Sequence, residues 1–487
     1  MTDTGIAGPS DKPSLDQRRA ERLRQAYAQV RAWPRHPGRR LELARALMAT
    51  PRRDLVKRHA RRAARLAPAD WRHNEQLGNL LFKVGAFGLA GRLLSRCAEA
   101  GTASAVSLKL LSALLHERGR EGVASRQFRA SALLEPVTGP RRPDPEKSNV
   151  VRFRTLEGSR LRVDFDETRK VYDQRLTRGH FSIRNLLDKG RINLYIAHIA
   201  GAGSEHPYRL PGFDLAINTV SCGDLSPVTL RMISSFLKGF PDRPVINDPA
   251  KVLAATREAN SERLGTLPGV VFPRTEKFRN EGTPQDVVRE LESRGFSLPL
   301  IVRLPGSQTG ISMEKLDTRT ALLEHLETLQ PGIELYAIEY IEGRDTDGLF
   351  HKTRSFFIDG AFYPVANLTN DNWQIHSGDR YSVMVDHQAS QDAEKHYLRD
   401  PEDYLGSDVM KALHAIRDVV DLDFFGIDYT IDKEGRVVVF EANAAMRHNF
   451  DHAGAFPYTR PHLQRVSDAF QAMVDQRIAD YRASRSA

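Results

Sequence analysis

Cysteine is nearly missing from this chain: Cys97 and Cys222 are the two among 487 residues. Two thiols cannot build a disulfide framework or a cysteine-rich metal site, and they lead us to expect a reduced, cytoplasmic setting. Tryptophan is almost as scarce, with three residues. No stretch approaches the ~18 consecutive apolar residues of a membrane span. The opening segment from Met1 to Arg19 is polar and carries charges of both signs, so it has no apolar core of the kind a secretory signal needs. What remains is 40% hydrophobic and 27% charged, the balance of a folded chain. Its length suits roughly two to four domains of ~100–200 residues each.

Charge divides the chain. Residues 1–150 hold 29 Lys+Arg against 14 Asp+Glu, whereas the remainder holds 42 against 48. A basic front and a mildly acidic back imply two units with different tasks. The front could face an acidic peptide, a nucleic acid or an acidic neighbour, or could simply be a solvated arginine-rich surface.

The basic part repeats itself. Gly85 recurs as Gly119, Ala90 as Ala124, Leu94 as Phe128, Leu77 as Leu111 and Leu81 as Leu115, all at one interval. Pro68 and Pro136 stand two such intervals apart. The pattern resembles tetratricopeptide (TPR) repeats, helix–turn–helix units of about 34 residues. It implies units over about 37–70, 71–104 and 105–138, preceded by an extra helix over Leu15 to Arg31. Trp71 and Phe128 keep aromatic positions of the pattern; Leu81 and Leu115 stand where tyrosine is usual. Such repeats either offer a concave surface to a protein or peptide partner or brace a neighbouring domain. Gly139-Pro-Arg-Arg-Pro-Asp-Pro then breaks the helical pattern. Val150–Arg154 and Arg160–Phe165 alternate around Glu157-Gly158-Ser159 and read as a hairpin.

From Ile192 the pattern is strand–helix–strand: Asn193–Ile199, Asp214–Asn218, a helix around Val228–Leu237, and Pro244–Ile246. This predicts a small α/β layer with a parallel sheet. Gly201-Ala-Gly203 after the first strand is a weak phosphate-loop signal. Four later features carry more. A strand ending in Arg303 leads into Gly306-Ser307-Gln-Thr-Gly310, a cation before a loop able to close over phosphates. A second strand runs into Glu339-Tyr340-Ile341-Glu-Gly343. A hairpin starts at Arg354. Finally Asp428 closes one apolar strand, Asp432 to Gly435 turn the chain, and Glu441 and Asn443 sit two apart on the return strand, facing one side. Oxygen donors on paired strands suit Mg²⁺, with Mn²⁺ as the alternative.

In this order the features resemble the ATP-grasp superfamily over about 190–475. Val245-Ile-Asn247-Asp248-Pro249 and Val271-Phe-Pro273-Arg-Thr275 look like its entry segments. The motif order is most similar to the ribosomal-protein and tetrahydromethanopterin glutamate ligases. The resemblance implies an ADP-forming carboxylate–amine ligase, which activates a carboxylate as an acyl phosphate and joins it to an amine. Arg303 would hold the α/β-phosphates, with Gly306, Ser307 and Gly310 in the covering loop. Glu339, Tyr340 and Ile341 would flank adenine, Arg354 would face the transferred phosphate, and Asp428, Glu441 and Asn443 would hold the metal. Three features depart from the family. Arginine replaces lysine at 303, Arg257 is the nearest cation to the expected second phosphate lysine, and Ala444-Ala-Met-Arg447-His448-Asn449 replaces the Pro-Gly after the metal Asn.

The polar segment from Asn367 to Arg380 is a candidate substrate loop. His376, Arg447 and His448 are candidates to orient the acceptor or manage its proton. No residue reads as a covalent nucleophile; Cys222 reads as a packed thiol. The rival readings are an ATP-dependent phosphotransferase on a small molecule and a non-catalytic TPR scaffold with a degenerate nucleotide fold. Expected partners are small-molecule or peptide carboxylates and amines. A protein or peptide on the repeats and a homo-oligomer are left open, and nucleic acid and membrane are disfavoured. The expected fold class is α plus α/β, multidomain. A disordered tail (1–14) precedes a TPR-like solenoid (15–138), a linker and hairpin (139–190) and a pre-ATP-grasp α/β domain (191–249). A two-lobed ATP-grasp domain (250–475) and a C-terminal tail (476–487) follow.

Overall fold

The computed structural model describes residues 14–67, 69–167, 171–199, 210–307, 312–345 and 347–486. The tail up to residue 13, Pro68, Gly201–Gly203 and Gly310 lie outside the described residues. The chain forms two compact units, one of residues 1–135 with 161–176, the other of 136–160 with 177–487. Among the described residues no helix is long and apolar enough to cross a membrane.

The first unit begins with α1 (Leu15–Ala32), which Ser14 opens with a capping box closed by Gln17. Three helix pairs follow: α2 (Pro37–Leu47) with α3 (Arg53–Leu66), α4 (Trp71–Lys83) with α5 (Phe87–Glu99), and α6 (Ala105–Glu117) with α7 (Glu121–Leu134). The pairs open at Pro37, Trp71 and Ala105, which is the interval of the sequence repeat. Asp70 and Ser104 cap α4 and α6 through side-chain oxygens that accept backbone N–H bonds. Gly85 and Gly119 turn the chain between paired helices at φ +73° each, a conformation that costs glycine nothing. Leu77, Leu81, Ala90 and Leu94 are fully buried where α4 meets α5. Gly78 lets the two helices approach closely, since a Cβ there would lie 2.7 Å from a Leu94 methyl.

After α7 the chain runs through β1 (Val137–Thr138) and β2 (Ser148–Thr155) and out into β3 (Arg160–Asp166) and β4 (Val171–Thr177). The β3–β4 pair belongs to the first unit. There Phe165 and Tyr172 pack on Phe82 and Phe87. Tyr172 donates to Glu117, and Ser112 donates to Gln174 at 2.9 Å.

The hairpin expected over 150–165 is therefore corrected. Its two halves are strands, but β3 pairs with β4, while β2 is the middle strand of a five-stranded sheet ordered β1-β5-β2-β6-β7. Here β5 (Ile192–Ile199), β6 (Leu215–Asn218) and β7 (Val245–Ile246) complete the parallel part, with β1 antiparallel at one edge. β2 is buried on both faces, as a central parallel strand should be. Alternation identifies a strand; it does not choose its partner. The α/β layer thus starts well before residue 191.

Helices α8 (Pro227–Leu237), α9 (Pro249–Leu253) and α10 (Arg257–Leu264) lead to β8 (Val270–Val271) and into a lobe with its own core. That lobe joins β9 (Thr275–Arg279), α11 (Pro284–Ser293), β10 (Leu300–Arg303), β11 (Met313–Leu316), α12 (Arg319–Thr328) and β12 (Glu334–Glu339). Its antiparallel sheet runs β11-β10-β12-β9, covered by Val287, Leu291, Leu322 and Leu326.

A larger sheet follows, ordered β14-β13-β15-β16-β8, from β13 (Phe350–Ile358), β14 (Ala361–Asn370), β15 (Phe424–Ile431) and β16 (Val437–Asn443). Between β14 and β15 stand α13 (Gln388–Arg399), α14 (Pro401–Leu405) and α15 (Ser407–Val420). The last helix, α16 (Arg460–Ser486), corrects the expected tail over 476–487: it is helical to Ser486. Phe470, Val474, Ile478 and Tyr481 carry one buried stripe at helical spacing through that segment.

Gly78→Leu tests the close approach of α4 and α5. Four added carbons at a site closed by Leu94 should cost about 2 kcal/mol or more by overpacking. The urea midpoint should fall. An unchanged midpoint would show that these helices do not pack this closely.

Candidate functional site

The sheet register assembles the charged residues. Arg354 lies opposite Asp428 across β13 and β15, and Asp428 lies opposite Glu441 across β15 and β16. Asp428 does not close its strand as expected; β15 continues to Ile431, with a register shift after Asp428. Arg354 grips both oxygens of Asp428, Nε to Oδ1 and Nη2 to Oδ2, each at 2.6 Å. Burial alone would raise the Asp428 carboxyl, but the Arg354 guanidinium outweighs it and holds the group below the usual carboxylate range. Burial likewise opposes the Arg354 charge, and Asp428 again wins, raising the guanidinium. Glu441 accepts from Asn443 Nδ2 at 2.7 Å, and Asn443 Oδ1 accepts from the Ala445 N–H at 2.8 Å.

Two further cations complete the cluster. Arg257, the first residue of α10, reaches 3.5 Å from Glu441 and donates to the Phe440 carbonyl. Lys352 lies two residues before Arg354 on the same face of β13, 3.9 Å from Asp428, and donates to the Ile375 carbonyl. Burial lowers its ammonium pKa, with Asp428 opposing. Sequence reasoning missed Lys352, for which period-two spacing from Arg354 was the available signal. It marked Arg257 only as the nearest cation before Leu264, and the approach to Glu441 comes through the fold.

Arg303 ends β10, buried to 8% exposure. Its guanidinium donates to the Ser307 hydroxyl at 3.0 and 3.2 Å and to the Ser307 carbonyl. Burial, then the nearby Arg257, push it down to about 10. Gly306, at φ +64°, sits so close to Leu225 that a Cβ would meet that side chain at 2.3 Å. Residues 308–311 of this loop lie outside the described residues.

These side chains line a cleft of about 590 Å³. Arg257, Arg303, Lys352 and Arg354 line it together with Asp428 and Glu441, an excess of positive charge suited to a polyanion. Its apolar lining comes from Ile301, Met313, Ile338, Ile341 and Leu368. Glu339 and Tyr340 line it as well. Lys315 Nζ stands 4.3 Å over the Tyr340 ring, and Trp373 meets that ring edge-on at 6.1 Å. Burial, then Glu342, push the Tyr340 hydroxyl up to about 12. A flat ring with charged groups at one end fits such a cleft.

The acceptor candidates separate. His376 lines the cleft at the start of a short turn, and its N–H donates to Asp379 at 2.6 Å. Arg447 stays at the rim, paired with Asp451 at 2.8 Å and with 71% of its side chain exposed. His448 is buried, bonded to Ser467 at 3.0 Å, and burial holds its imidazole near a pKa of about 4. Arg380 forms a buried pair with Glu394, to which Tyr458 also donates at 2.8 Å, so it anchors the segment that follows Trp373.

Beside the cleft a smaller pocket of about 50 Å³ lies between Ser221–Asp224, Arg257, Asn260 and Glu441. Among the described residues, Asn260 Oδ1 and Ser221 Oγ are buried without hydrogen-bond partners. Asp224 accepts from Tyr336 at 2.8 Å and pairs with Lys277 at 3.0 Å, which fixes this loop to the lobe of β9 and β12. Cys222 is half-buried, and its thiol is pushed up to about 11 by desolvation and then by Asp224, which is the state of a packed thiol.

Among the described residues no group of three or more His, Cys, Asp and Glu could hold a metal ion. The oxygen donors Asp428, Glu441 and Asn443 do share one face of paired strands, a donor set that suits a hard divalent ion.

No family model matches the chain. No curated protein matches it. Among solved structures, the D-alanine–D-alanine ligase of Bacillus anthracis matches with a TM-score of 0.39 and 13% identity, over 69% of this chain and 99% of that one. The VanG D-Ala:D-Ser ligase of Enterococcus faecalis gives 0.38 and 13%, over 67% and 98%. A RimK domain ATP-grasp protein of Sphaerobacter thermophilus gives 0.36 and 12%, over 66% and 99%. Likenesses this weak establish neither the fold nor the activity of this chain.

His448 generates a pH prediction. Its folded pKa lies below the ordinary 6.5, so the unfolded chain binds the proton more readily. Its contribution is present above pH 6.5 and is lost as pH falls toward about 4. Across that window stability should fall by up to about 3 kcal/mol on account of this residue. Urea titrations at stepped pH should show a shallower slope in His448→Gln; an identical slope would exclude a buried neutral imidazole.

Proposed function

We propose that residues 136–160 and 177–487 form an ATP-grasp-type ligase that activates a carboxylate with ATP and joins it to an amine. The observation that carries this reading is the cross-strand set Arg354, Asp428 and Glu441 with Asn443, set beside Arg303 and facing an apolar half-cleft. Adenine takes the apolar end, against Tyr340 and Ile341. The phosphates lie toward Arg257, Arg303, Lys352 and Arg354, under the loop that Gly306 and Ser307 begin. Arg257 fills the role of the second phosphate cation.

Asp428, Glu441 and Asn443 would hold Mg²⁺, or Mn²⁺ in its place, which supplies charge neutralisation at the transferred phosphate. Arg354, which clasps Asp428, would turn from carboxylate to phosphate as the nucleotide arrives. A carboxylate oxygen is a poor leaving group and a phosphate is a good one, so activation needs positioning and cationic stabilisation rather than a protein nucleophile. The smaller pocket takes the head of the second substrate. Ser221, Asp224 and Asn260 line it with side-chain oxygens, a lining that suits an amine. His376 lies along the cleft wall within the substrate segment, whereas the positions of Arg447 and His448 suit a rim contact and a packing role.

The first unit we read as three TPR-like repeats with an added N-terminal helix, holding a protein or peptide partner. A cytoplasmic setting accompanies this reading.

Calorimetric titration with ATP and Mg²⁺ tests it. Arg303→Met should weaken ATP binding about tenfold or more, the worth of one charge-assisted phosphate contact, while the melting temperature without nucleotide changes little. Glu441→Gln should keep the fold and abolish Mg²⁺-dependent ATP turnover. Unchanged affinity in the first and unchanged turnover in the second would sink the assignment.

A further inference from the structure

We infer that the exposed face of α3, together with exposed Trp33 at the α1–α2 junction, docks an acidic segment of a partner protein. The inference deepens the reading of the first unit as a partner-binding domain, and it is independent of the nucleotide site.

α3 carries Arg53, Lys57, Arg58, Arg61, Arg62 and Arg65 against a single acid, Asp54, which is itself paired with Arg52 at 3.4 Å. Val56, Ala60 and Ala63 bury the other face of the helix. Arg58, Arg61, Arg62 and Arg65 are exposed. Lys57–Arg61, Arg58–Arg62 and Arg61–Arg65 stand four apart, three like-charge pairs that each destabilise a helix by about 0.2–0.5 kcal/mol. Among the described residues none of these six cations has an acidic partner within ion-pair distance. The neighbouring helices are built otherwise: Arg19 pairs with Asp16 at 3.4 Å, Arg24 with Glu21 at 4.0 Å, and Arg45 with Glu42 at 2.5 Å. Acids stand beside these three arginines and, among the described residues, beside none of the six cations of α3.

Behind it, buried Arg40 donates to the Pro34 carbonyl at 2.8 Å and lies 3.4 Å from His59 Nδ1 of α3. The Arg40 side chain thereby links the α1–α2 junction to α3. Trp33, at the junction and 62% exposed, stands next to Pro34. Burial lowers both Arg40 and His59, and Arg58 and Arg62 lower them further, which marks one continuous field of uncompensated positive charge.

The choice of a protein over a nucleic acid follows from the aromatics. Single-stranded nucleic acids are held by successive stacking rings, and Trp33 is the one exposed large aromatic of the first unit among the described residues. One apolar anchor among arginines is instead the composition of a protein interface hot spot. Guanidinium forks spaced along about 18 Å of helix from Arg53 to Arg65 match carboxylates on an extended or helical segment.

The test uses the full chain and a fluorescein-labelled, glutamate-rich peptide with one leucine, read by fluorescence anisotropy at two salt concentrations. The triple substitution Arg58→Glu, Arg62→Glu and Arg65→Glu should weaken binding about tenfold or more. Trp33→Ala should weaken it severalfold at the higher salt, where charge contacts are screened and the apolar anchor is not. A control triple of Arg19→Glu, Arg22→Glu and Arg24→Glu on α1 changes net charge equally but leaves the α3 face intact, so binding should stay within about twofold of the parent. ATP binding should be the same in all variants, which separates this inference from the ligase reading. Equal loss in both triples would overturn it, since the effect would be net charge alone. Tighter binding of an oligonucleotide of equal charge, or loss of a dimer in the α3 triple by light scattering, would overturn it in favour of those occupants.

Discussion

The cleft is organised around one charge pair. Arg354 and Asp428 face each other across two strands and share two hydrogen bonds at 2.6 Å. A buried carboxylate this close to a second carboxylate, Glu441, would not stay charged without a cation to hold it. Breaking such a pair by removing one partner costs about 3–5 kcal/mol, because the other charge is left buried. The register of β13, β15 and β16 is therefore a functional constraint as well as a structural one. A slip of one residue in any of the three would turn Arg354, Asp428 or Glu441 to the opposite face.

Around that pair the protein sets more positive than negative charge. Arg257, Arg303 and Lys352 come from a helix start and from two different sheets, and each donates to a backbone carbonyl, while Arg257 and Lys352 also stand 3.5 and 3.9 Å from Glu441 and Asp428. A carbonyl orients a cation without cancelling it. The field of the cleft is thus left for a ligand to satisfy, which is the physical content of the nucleotide reading. On the first unit the α3 face likewise carries arginines with no acidic partner among the described residues, whereas Arg19, Arg24 and Arg45 on α1 and α2 pair with acids.

Several elements are legible in the residues alone. Gly85 and Gly119, with Leu77 and Leu111, announce helix pairs at a fixed interval, because a turn needing positive φ and a core needing leucine recur together. Glu441 and Asn443 are legible because the pitch of a strand puts alternate residues on one face. Strand alternation and repeat spacing are local signals, and a local signal survives without the fold.

Pairing and approach have other origins. The segment 150–165 reads as a hairpin because two alternating strands flank a glycine turn, yet β2 finds a lower free energy between β5 and β6, buried on both faces. The final residues are expected as a tail, yet Ile478 and Tyr481 keep α16 bound to the core. Lys352 carries no motif and Arg257 only a position, and both join the site once α10 and β13 are brought beside Asp428 and Glu441. Which segments form helices and strands, and which face of each is chemical, depends on neighbours a few residues away and can be read along the chain. Which strands pair, which cations share the cleft and which polar atoms lack partners depends on residues far apart in the chain meeting within a few ångströms, and that emerges only on folding.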